Sequence, residues 1–224
     1  MASSVQLNPG EIHVWLVEAS QTPSSQNNRK TFARQLGSRR WLPKILQKYP
    51  QLNTFNLEYS GEGRPVLIPA IKGAFVVDCS ASHSFNIGAY GLSAAGLLGI
   101  DIERLVRGKR DIEAITSHFF HPQEFSVLAD LPENIQSDTF YQYWTLKEAV
   151  AKLQGRGVLG QLKQTSFHEV ESIRLEKWFS LSNFKDWEFR SEIVSTEMLL
   201  SLAVEREPVH RVEEPRLKVF RFGQ

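Results

Sequence analysis

Acidic residues with a regular spacing occur in two short segments about forty residues apart, residues 99–103 and 144–152. In the first segment, Asp101 and Glu103 stand two residues apart at the end of an apolar run. Strand residues with this spacing point to the same face of a sheet, so the two carboxylates are predicted to converge. Without a second motif, the ordinary interpretation of such a pair is a strand edge that faces solvent.

The second segment has the pattern of a helix. Trp144, Glu148 and Lys152 recur every four residues, which places them on one face, while Leu146 and Val150 belong to an apolar face that can pack. An i,i+4 ion pair between Glu148 and Lys152 is the simplest alternative, and such a pair contributes only about 0.3–0.5 kcal/mol. That alternative leaves the carboxylates of the first segment unexplained.

Together the two segments offer three carboxylates and one ammonium group. Carboxylates brought together repel one another by roughly 4 kcal/mol per pair at about 4 Å, so a cation is required among them. A small set of oxygen ligands suits Mg²⁺, which completes its shell with water and substrate phosphate oxygens. The residues therefore predict metal-assisted phosphate chemistry.

Length and composition limit the other possibilities. The chain has 224 residues, enough for one large domain or two of about 110, with 42% hydrophobic residues and a formal charge of +1. The single cysteine, Cys79, excludes an intrachain disulfide. The first residues lack the pattern of a signal peptide, and no run has the roughly 18 apolar residues of a spanning helix. We expect a soluble cytoplasmic protein that acts away from membranes.

One segment concentrates positive charge. No acidic residue occurs between Glu18 and Glu58. The basic residues in that interval are Arg29, Lys30, Arg34, Arg39, Arg40, Lys44 and Lys48. Residues 30–49 have helical tendency, broken near Pro43, and the charges form either a focused positive patch or an ordinary solvated helix face. Nucleic acid is not the expected partner, because the whole chain is nearly neutral and the segment has few aromatic residues.

The remaining pattern predicts a mixture of strands and helices. Strands are predicted at residues 13–17, 55–59, 74–77, 86–92, around 101–103, and at 178–181, 187–193 and 198–204. Helices are predicted at residues 111–119, 122–128 and 137–153, the last one ending at Gly155 and Gly157. Since strands and helices do not alternate regularly, an α+β fold is preferred to a doubly wound sheet. The charged tail from Glu205 is expected to be partly unordered.

Taken in order, these motifs resemble the Sfp-type 4'-phosphopantetheinyl transferases, in particular the bacterial branch with cyanobacterial members. That family has Gly-(Ile/Val)-Asp-(Ile/Leu)-Glu followed some forty residues later by Trp-x-x-Lys-Glu-Ala-x-x-Lys, and residues 99–103 and 144–152 match both without a gap. Gly63-Arg64-Pro65 resembles the family's Gly-(Lys/Arg)-Pro turn. The resemblance extends over residues 11–205.

Residues 82–84 resemble the family's Ser-His-Ser element. The resemblance implies two α/β subdomains related by a pseudo-twofold axis, with coenzyme A bound in the cleft between them. Residues 1–98 would form the N-terminal subdomain and residues 99–224 the C-terminal one.

The resemblance also implies the reaction. Asp101, Glu103 and Glu148 would hold Mg²⁺ at the coenzyme A pyrophosphate. Glu148 would accept the proton of a serine on an apo acyl or peptidyl carrier protein, and the serine oxygen would attack the β-phosphorus. Lys152 would neutralise the phosphate as 4'-phosphopantetheine is transferred and 3',5'-ADP is released. A monomeric enzyme with coenzyme A as co-substrate is expected.

Further contacts to the coenzyme follow from the same resemblance. Asp101, Arg64, Ser82 and His83 would contribute to the phosphate site, and so would Arg39, in a role that Arg34 or Arg40 could also take. The family usually has an aromatic residue and an amide before Ser-His-Ser, where this chain has Cys79-Ser80-Ala81.

This departure motivates an alternative from another class, a non-catalytic homologue that binds coenzyme A or a carrier protein. A metal-dependent phosphatase or nuclease would need more ligands than the sequence offers. The other histidines, His13, His118, His121, His168 and His210, have no spacing that suggests a site.

Overall fold

A computed structural model describes residues 4–19, 29–71, 76–106, 112–155, 162–168, 175–182, 184–206 and 213–223. The strands within these ranges are β1 Glu11–Glu18, β2 Phe55–Tyr59, β3 Pro65–Pro69, β4 Asp78–Ser84, β5 Ile87–Ser93, β6 Gly96–Arg104, β7 Phe179–Leu181, β8 Phe184–Ser195, β9 Met198–Arg206 and β10 Arg216–Arg221. The α-helices are α1 Arg29–Gln35, α2 Ser38–Leu46, α3 Ile112–Phe119, α4 Pro122–Asp130 and α5 Glu133–Gln154. This mixture of sheets and helices agrees with the α+β prediction.

The chain divides into two compact units, one of Met1–Leu98 with Val204–Gln224 and the other of Gly99–Ala203. The predicted subdomains, residues 1–98 and residues 99–224, stay a prediction. The predicted pseudo-twofold relation, and a site in a cleft between the subdomains, stay predictions.

The first unit is built on a four-stranded sheet in the order β10-β1-β5-β4. Strand β1 is central and buried over its first seven residues, because it is antiparallel to β5 on one side and parallel to β10 on the other. The pairing with β10 shows that the expectation of a partly unordered tail was wrong for Arg216–Arg221. A contact between residues some two hundred positions apart leaves no local pattern in either segment.

The basic segment forms two helices rather than one. The break lies at Gly37, between α1 and α2, and Pro43 is inside α2. Proline there removes one helical hydrogen bond, but Leu42 and Ile45 on the same helix are fully buried. Burial of these apolar side chains therefore offsets the cost of a proline inside the helix. The predicted break at Pro43 lies six residues after the observed break at Gly37.

Strand β4 also differs from prediction. A strand was predicted at residues 74–77, with Ser82-His83-Ser84 in the following connection. Residues 74 and 75 lie outside the described residues, Val76 and Val77 are not in a strand, and β4 runs instead through Asp78–Ser84. Hydrogen bonding to β5 holds this polar segment extended, although its composition is not typical of a strand.

A buried polar network attaches β10 to β1. The Glu11 carboxylate accepts hydrogen bonds from the Lys218 Nζ at 2.7 Å and the Asn8 backbone N–H at 2.9 Å. Trp15 Nε1 donates to the Tyr49 hydroxyl at 2.7 Å. The Glu11 carboxylate only accepts, so a neutral His13 donates through Nε2, and its Nδ1 accepts the Tyr49 hydroxyl proton at 3.0 Å. His13 Nε2 then carries the proton and donates to Glu11 at 3.2 Å. Each donor named in this hydrogen-bond network thus has an acceptor.

The network makes the stability of the first unit sensitive to acid. Burial by itself raises the pKa of Glu11, but Lys218 and Asn8 overcome this effect and lower the pKa to about 2 from 4.5. The stabilisation is therefore present above pH 4.5 and lost as the pH falls from 4.5 towards 2, with an upper limit of about 3 kcal/mol. Urea unfolding at pH 6 and pH 3 should show that Glu11→Gln loses less stability on acidification than wild type. Equal losses in both proteins would contradict this role of Glu11.

The second unit contains a sheet in the order β6-β9-β8-β7, with α5 as its longest helix. Helix α5 begins four residues earlier than predicted and ends at Gly155, whose φ of 64° is the left-handed conformation that favours glycine. Among the helices of the described ranges, none combines the length and the apolar character needed to cross a membrane.

Candidate active site

Strand β6 and helix α5 approach each other closely at Gly99. A Cβ atom at this position would stand 1.9 Å from the Ala149 carbonyl oxygen and 2.7 Å from the Leu153 backbone nitrogen. Both neighbours are backbone atoms of a helix and cannot rotate away. The first residue of the Gly-Ile-Asp-Ile-Glu motif is therefore a glycine because the strand lies against the helix backbone.

This approach brings Asp101 next to the end of α5. Lys152 Nζ donates to Asp101 Oδ1 at 2.7 Å, and the Asp101 side chain is only 6% exposed. Ile100 and Ile102, which flank Asp101 in the strand, are fully buried. The approach of β6 to α5 thus places a carboxylate and an ammonium group in direct contact.

Glu148 interacts electrostatically with both acids of β6. Burial, followed by the charge of Asp101, raises the pKa of Glu148 to about 7 from 4.5; Glu103 raises the pKa further and Lys152 lowers it. The four residues that sequence analysis assigned to the metal and to catalysis are thus coupled within the second unit. A carboxyl group with a pKa near 7 is suited to accept a proton at neutral pH.

Trp144 fixes the position of this part of α5. Its ring lies in an aromatic cluster with Phe119, Phe120 and Phe140, at centroid distances between 6.0 and 6.4 Å. Trp144 is therefore half-buried and packs against the core of the second unit. Such packing restricts rotation of the helix that carries Glu148 and Lys152.

In the first unit, Arg64 is held by Asp78. The guanidinium donates to Asp78 Oδ2 at 2.7 Å, and the same oxygen accepts the Leu98 backbone N–H at 2.8 Å. Burial raises the pKa of Asp78, and the Arg64 charge and the Leu98 N–H oppose this shift. Arg64 is 18% exposed at its side chain, so it retains access to solvent.

Arg39 lies close to the β2–β3 hairpin, whose connecting turn contains Arg64. It is exposed on α2, and its guanidinium carbon is 4.0 Å from the centre of the Tyr59 ring. Tyr59 pairs with Pro65, which follows Arg64 in the chain. Arg39 and Arg64 therefore both lie at the turn end of the β2–β3 hairpin. Arg34 and Arg40 are exposed, and Arg40 lies 5.9 Å from the Trp41 ring. The guanidinium of Arg39 is thus closer to an aromatic ring than that of Arg40.

Ser82 and His83 lie further along β4, at the edge of the sheet. His83 is exposed and Ser82 is half-buried. Cys79, at the start of the departure from the family pattern, is fully buried, and burial raises the pKa of its thiol. It is therefore a packing residue rather than a nucleophile.

Comparison with known sequences identifies the second unit. Residues 97–203 match the sequence model of the 4'-phosphopantetheinyl transferase superfamily, and this interval nearly coincides with the unit Gly99–Ala203. This part of the chain is similar to that superfamily, and the match covers just under half of the 224 residues. The matched interval includes all four coupled residues of the β6–α5 site.

Individual relatives agree with this assignment. The chain is 33% identical over 101 residues to the 4'-phosphopantetheinyl transferase HetI of Nostoc sp., a match that covers 45% of this chain and 42% of that protein. It is 32% identical over 139 residues to a putative 4'-phosphopantetheinyl transferase of Synechocystis sp., covering 62% and 54%. For the 4'-phosphopantetheinyl transferase ffp of Bacillus subtilis the identity is 30% over 136 residues, covering 59% and 57%. The chain spans about half the length of these relatives.

The superfamily motif's donor set fits a hard divalent cation. Asp101, Glu103 and Glu148 offer only carboxylate oxygens, the ligands that Mg²⁺ prefers, and their mutual repulsion favours a cation among them. As the side chains stand in the described part of the chain, no three His, Cys, Asp or Glu residues form a ready metal site. Lys152 instead contacts Asp101.

Sequence analysis missed the structural role of Lys147, which lies within the motif of residues 144–152. Its Nζ lies 2.7 Å from Glu124 Oε2, and both side chains are fully buried. Lys147 also donates to the carbonyl oxygens of Leu162 and Thr165, and Glu124 accepts the Phe167 N–H at 2.8 Å. This ion pair joins α4, α5 and the segment that follows α5.

A signal for this burial was present in the pattern. Lys147 stands four residues after Tyr143 and three before Val150, which places a lysine on the apolar face of α5. A lysine at such a position is buried only when it is paired. The partner, Glu124, could not be identified from its own surroundings, because the two residues are on different helices.

We expect Lys147→Met to destabilise the second unit by about 3–5 kcal/mol, because it leaves the Glu124 carboxylate buried without its cation. Replacing both partners, with Glu124→Leu added, should recover part of the loss. Denaturant unfolding followed by circular dichroism measures both effects. Lys163→Met, at an exposed lysine, is the control and should change stability by less than about 0.5 kcal/mol. If Lys147→Met were as stable as wild type, the role of the Lys147–Glu124 pair would be contradicted.

Proposed function

We propose that this protein is a 4'-phosphopantetheinyl transferase, which moves the 4'-phosphopantetheine group of coenzyme A to a serine of an apo acyl or peptidyl carrier protein. The observation that carries this proposal is the β6–α5 site, where Asp101, Glu103, Glu148 and Lys152 are coupled within the residues that match the superfamily. The names of the relatives support the same reaction.

Asp101, Glu103 and Glu148 would hold Mg²⁺, which would supply positive charge to neutralise the pyrophosphate. Glu148 accepts the proton of the carrier serine as the serine oxygen bonds to the β-phosphorus. The bond from this phosphorus to the bridging oxygen breaks, and 3',5'-ADP leaves. Lys152 offsets the negative charge that develops on the phosphates.

The first unit supplies the proposed contacts to the coenzyme phosphates. Arg39 and Arg64 are suited to this role, because guanidinium groups bind phosphate oxygens with two parallel hydrogen bonds. Their contacts with Tyr59 and Asp78 orient both groups before any ligand is bound. Ser82 and His83 offer a hydroxyl and an imidazole on β4.

The test is incubation with coenzyme A, Mg²⁺ and a panel of apo-carriers, followed by intact-protein mass spectrometry. A mass gain of one phosphopantetheine that requires Mg²⁺ is the expected result. Tight binding of coenzyme A without transfer to any carrier would favour the non-catalytic homologue instead. We further propose a monomer that acts in the cytoplasm, which light scattering and cell fractionation can test.

A further inference from the structure

The ammonium group of Lys152 is bound to a carboxylate that the proposed function assigns to the metal. The Nζ–Oδ1 distance of 2.7 Å is that of a charge-assisted hydrogen bond. The Asp101 side chain is 6% exposed and that of Lys152 is 25% exposed, so water screens the pair less than a surface ion pair. This contact therefore contributes more than an ordinary i,i+4 or surface interaction.

Lys152 also lies near the third carboxylate. It stands four residues after Glu148 on α5, about one turn of the helix, so the ammonium group and the Glu148 carboxylate share one helix face. The chain supplies its own counter-ion at the place where the residue chemistry calls for a divalent one.

The lysine and a divalent cation would compete for Asp101. Two cations on one carboxylate repel each other, so the ammonium group at Oδ1 and a metal on the same carboxylate disfavour each other. The side chain of lysine is a flexible four-carbon stem, so its ammonium group can move while α5 stays in place. Metal binding at Asp101 would therefore displace the ammonium group from this oxygen.

We infer that Lys152 is an exchangeable counter-ion, which holds Asp101 until a divalent cation replaces it and which is thereby released towards the coenzyme phosphates. This inference rests on the proposed function for the identity of the displacing ion. The exchange links metal binding to the availability of the phosphate-neutralising group. It also accounts for the contact between Lys152 and Asp101 in a residue set whose chemistry suits Mg²⁺.

The test is calorimetric titration of Mg²⁺ into the protein without coenzyme A or carrier. Removing the competitor with Lys152→Gln should tighten Mg²⁺ binding by about fivefold or more, the lower end of typical coupling between competing ligands. Lys152→Arg should weaken Mg²⁺ binding, since a guanidinium group can hold the carboxylate through two hydrogen bonds. If Lys152 had only a structural role, Lys152→Gln and Lys152→Arg would not change the affinity for Mg²⁺ in opposite directions.

A second readout is the thermal midpoint. Without Mg²⁺, Lys152→Gln should unfold at a lower temperature than wild type, and saturating Mg²⁺ should reduce the difference. Lys185→Gln removes the same charge from an exposed position on β8 and should change neither quantity. Unchanged or weaker Mg²⁺ binding by Lys152→Gln would overturn the exchange but not the proposed reaction, which the mass assay tests separately. Absence of Mg²⁺ binding by wild type would overturn both the exchange and the metal assignment.

Discussion

Glu148→Gln should lower the rate of phosphopantetheine transfer by about a thousandfold or more while the protein stays folded. The amide has nearly the same shape as the carboxylate, but it cannot accept the serine proton and provides no charge for a divalent cation. Loss of stability is not expected, because Asp101 and Glu103 already disfavour a negative charge at this position. The rate of mass gain on an apo-carrier and the thermal midpoint measure the two effects.

The matched control is Glu133→Gln, the same chemical change in an exposed residue at the start of the same helix. Its transfer rate should stay within about twofold of wild type. If Glu148→Gln retained a tenth or more of the wild-type rate, neither the base nor the metal role of Glu148 could stand. Calorimetry with Mg²⁺ separates those two roles, since only the metal role changes binding of the ion.

Gly99→Ala should be the most damaging small substitution in the second unit. The added Cβ would stand 1.9 Å from the Ala149 carbonyl oxygen, so β6 and α5 would have to separate. We expect a loss of about 3 kcal/mol or more in the free energy of unfolding, at the upper end of overpacking costs. Any folded protein should transfer poorly, because Asp101 and Glu103 would move away from Glu148.

Gly61→Ala provides the comparison for this prediction. A Cβ at Gly61 meets nothing within 4 Å and the position has no positive φ, so alanine should be tolerated or slightly stabilising. Denaturant unfolding compares the two variants directly. A Gly99→Ala protein as stable as Gly61→Ala would show that the close approach of β6 and α5 does not constrain the fold.

The acidic motifs were predictable because both depend on local periodicity. The two-residue spacing of Asp101 and Glu103 matches a strand, and the four-residue spacing of Glu148 and Lys152 matches a helix. Glycine at 155 also indicated the end of α5 correctly, since a left-handed residue is needed there. Similarity to a family then assigned a reaction to the motifs, which spacing alone could not do.

Long-range pairing was not predictable from the same patterns. Strand β10 is charged and follows two prolines, but parallel pairing with β1 and the Glu11–Lys218 contact hold it in the sheet. Hydrogen bonds to β5 likewise make a strand of the polar residues 78–84. In both segments tertiary hydrogen bonding overrides weak local propensity.

Local spacing in the chain shows which residue types are available to the site and which of them share a strand or helix face. The contacts between elements show which charges meet: Lys152 contacts Asp101, and Lys147 is buried against Glu124 rather than exposed beside Glu148. Periodicity is set by backbone geometry within one element. The choice of an ion-pair partner depends on distances between elements, which packing at positions such as Gly99 establishes.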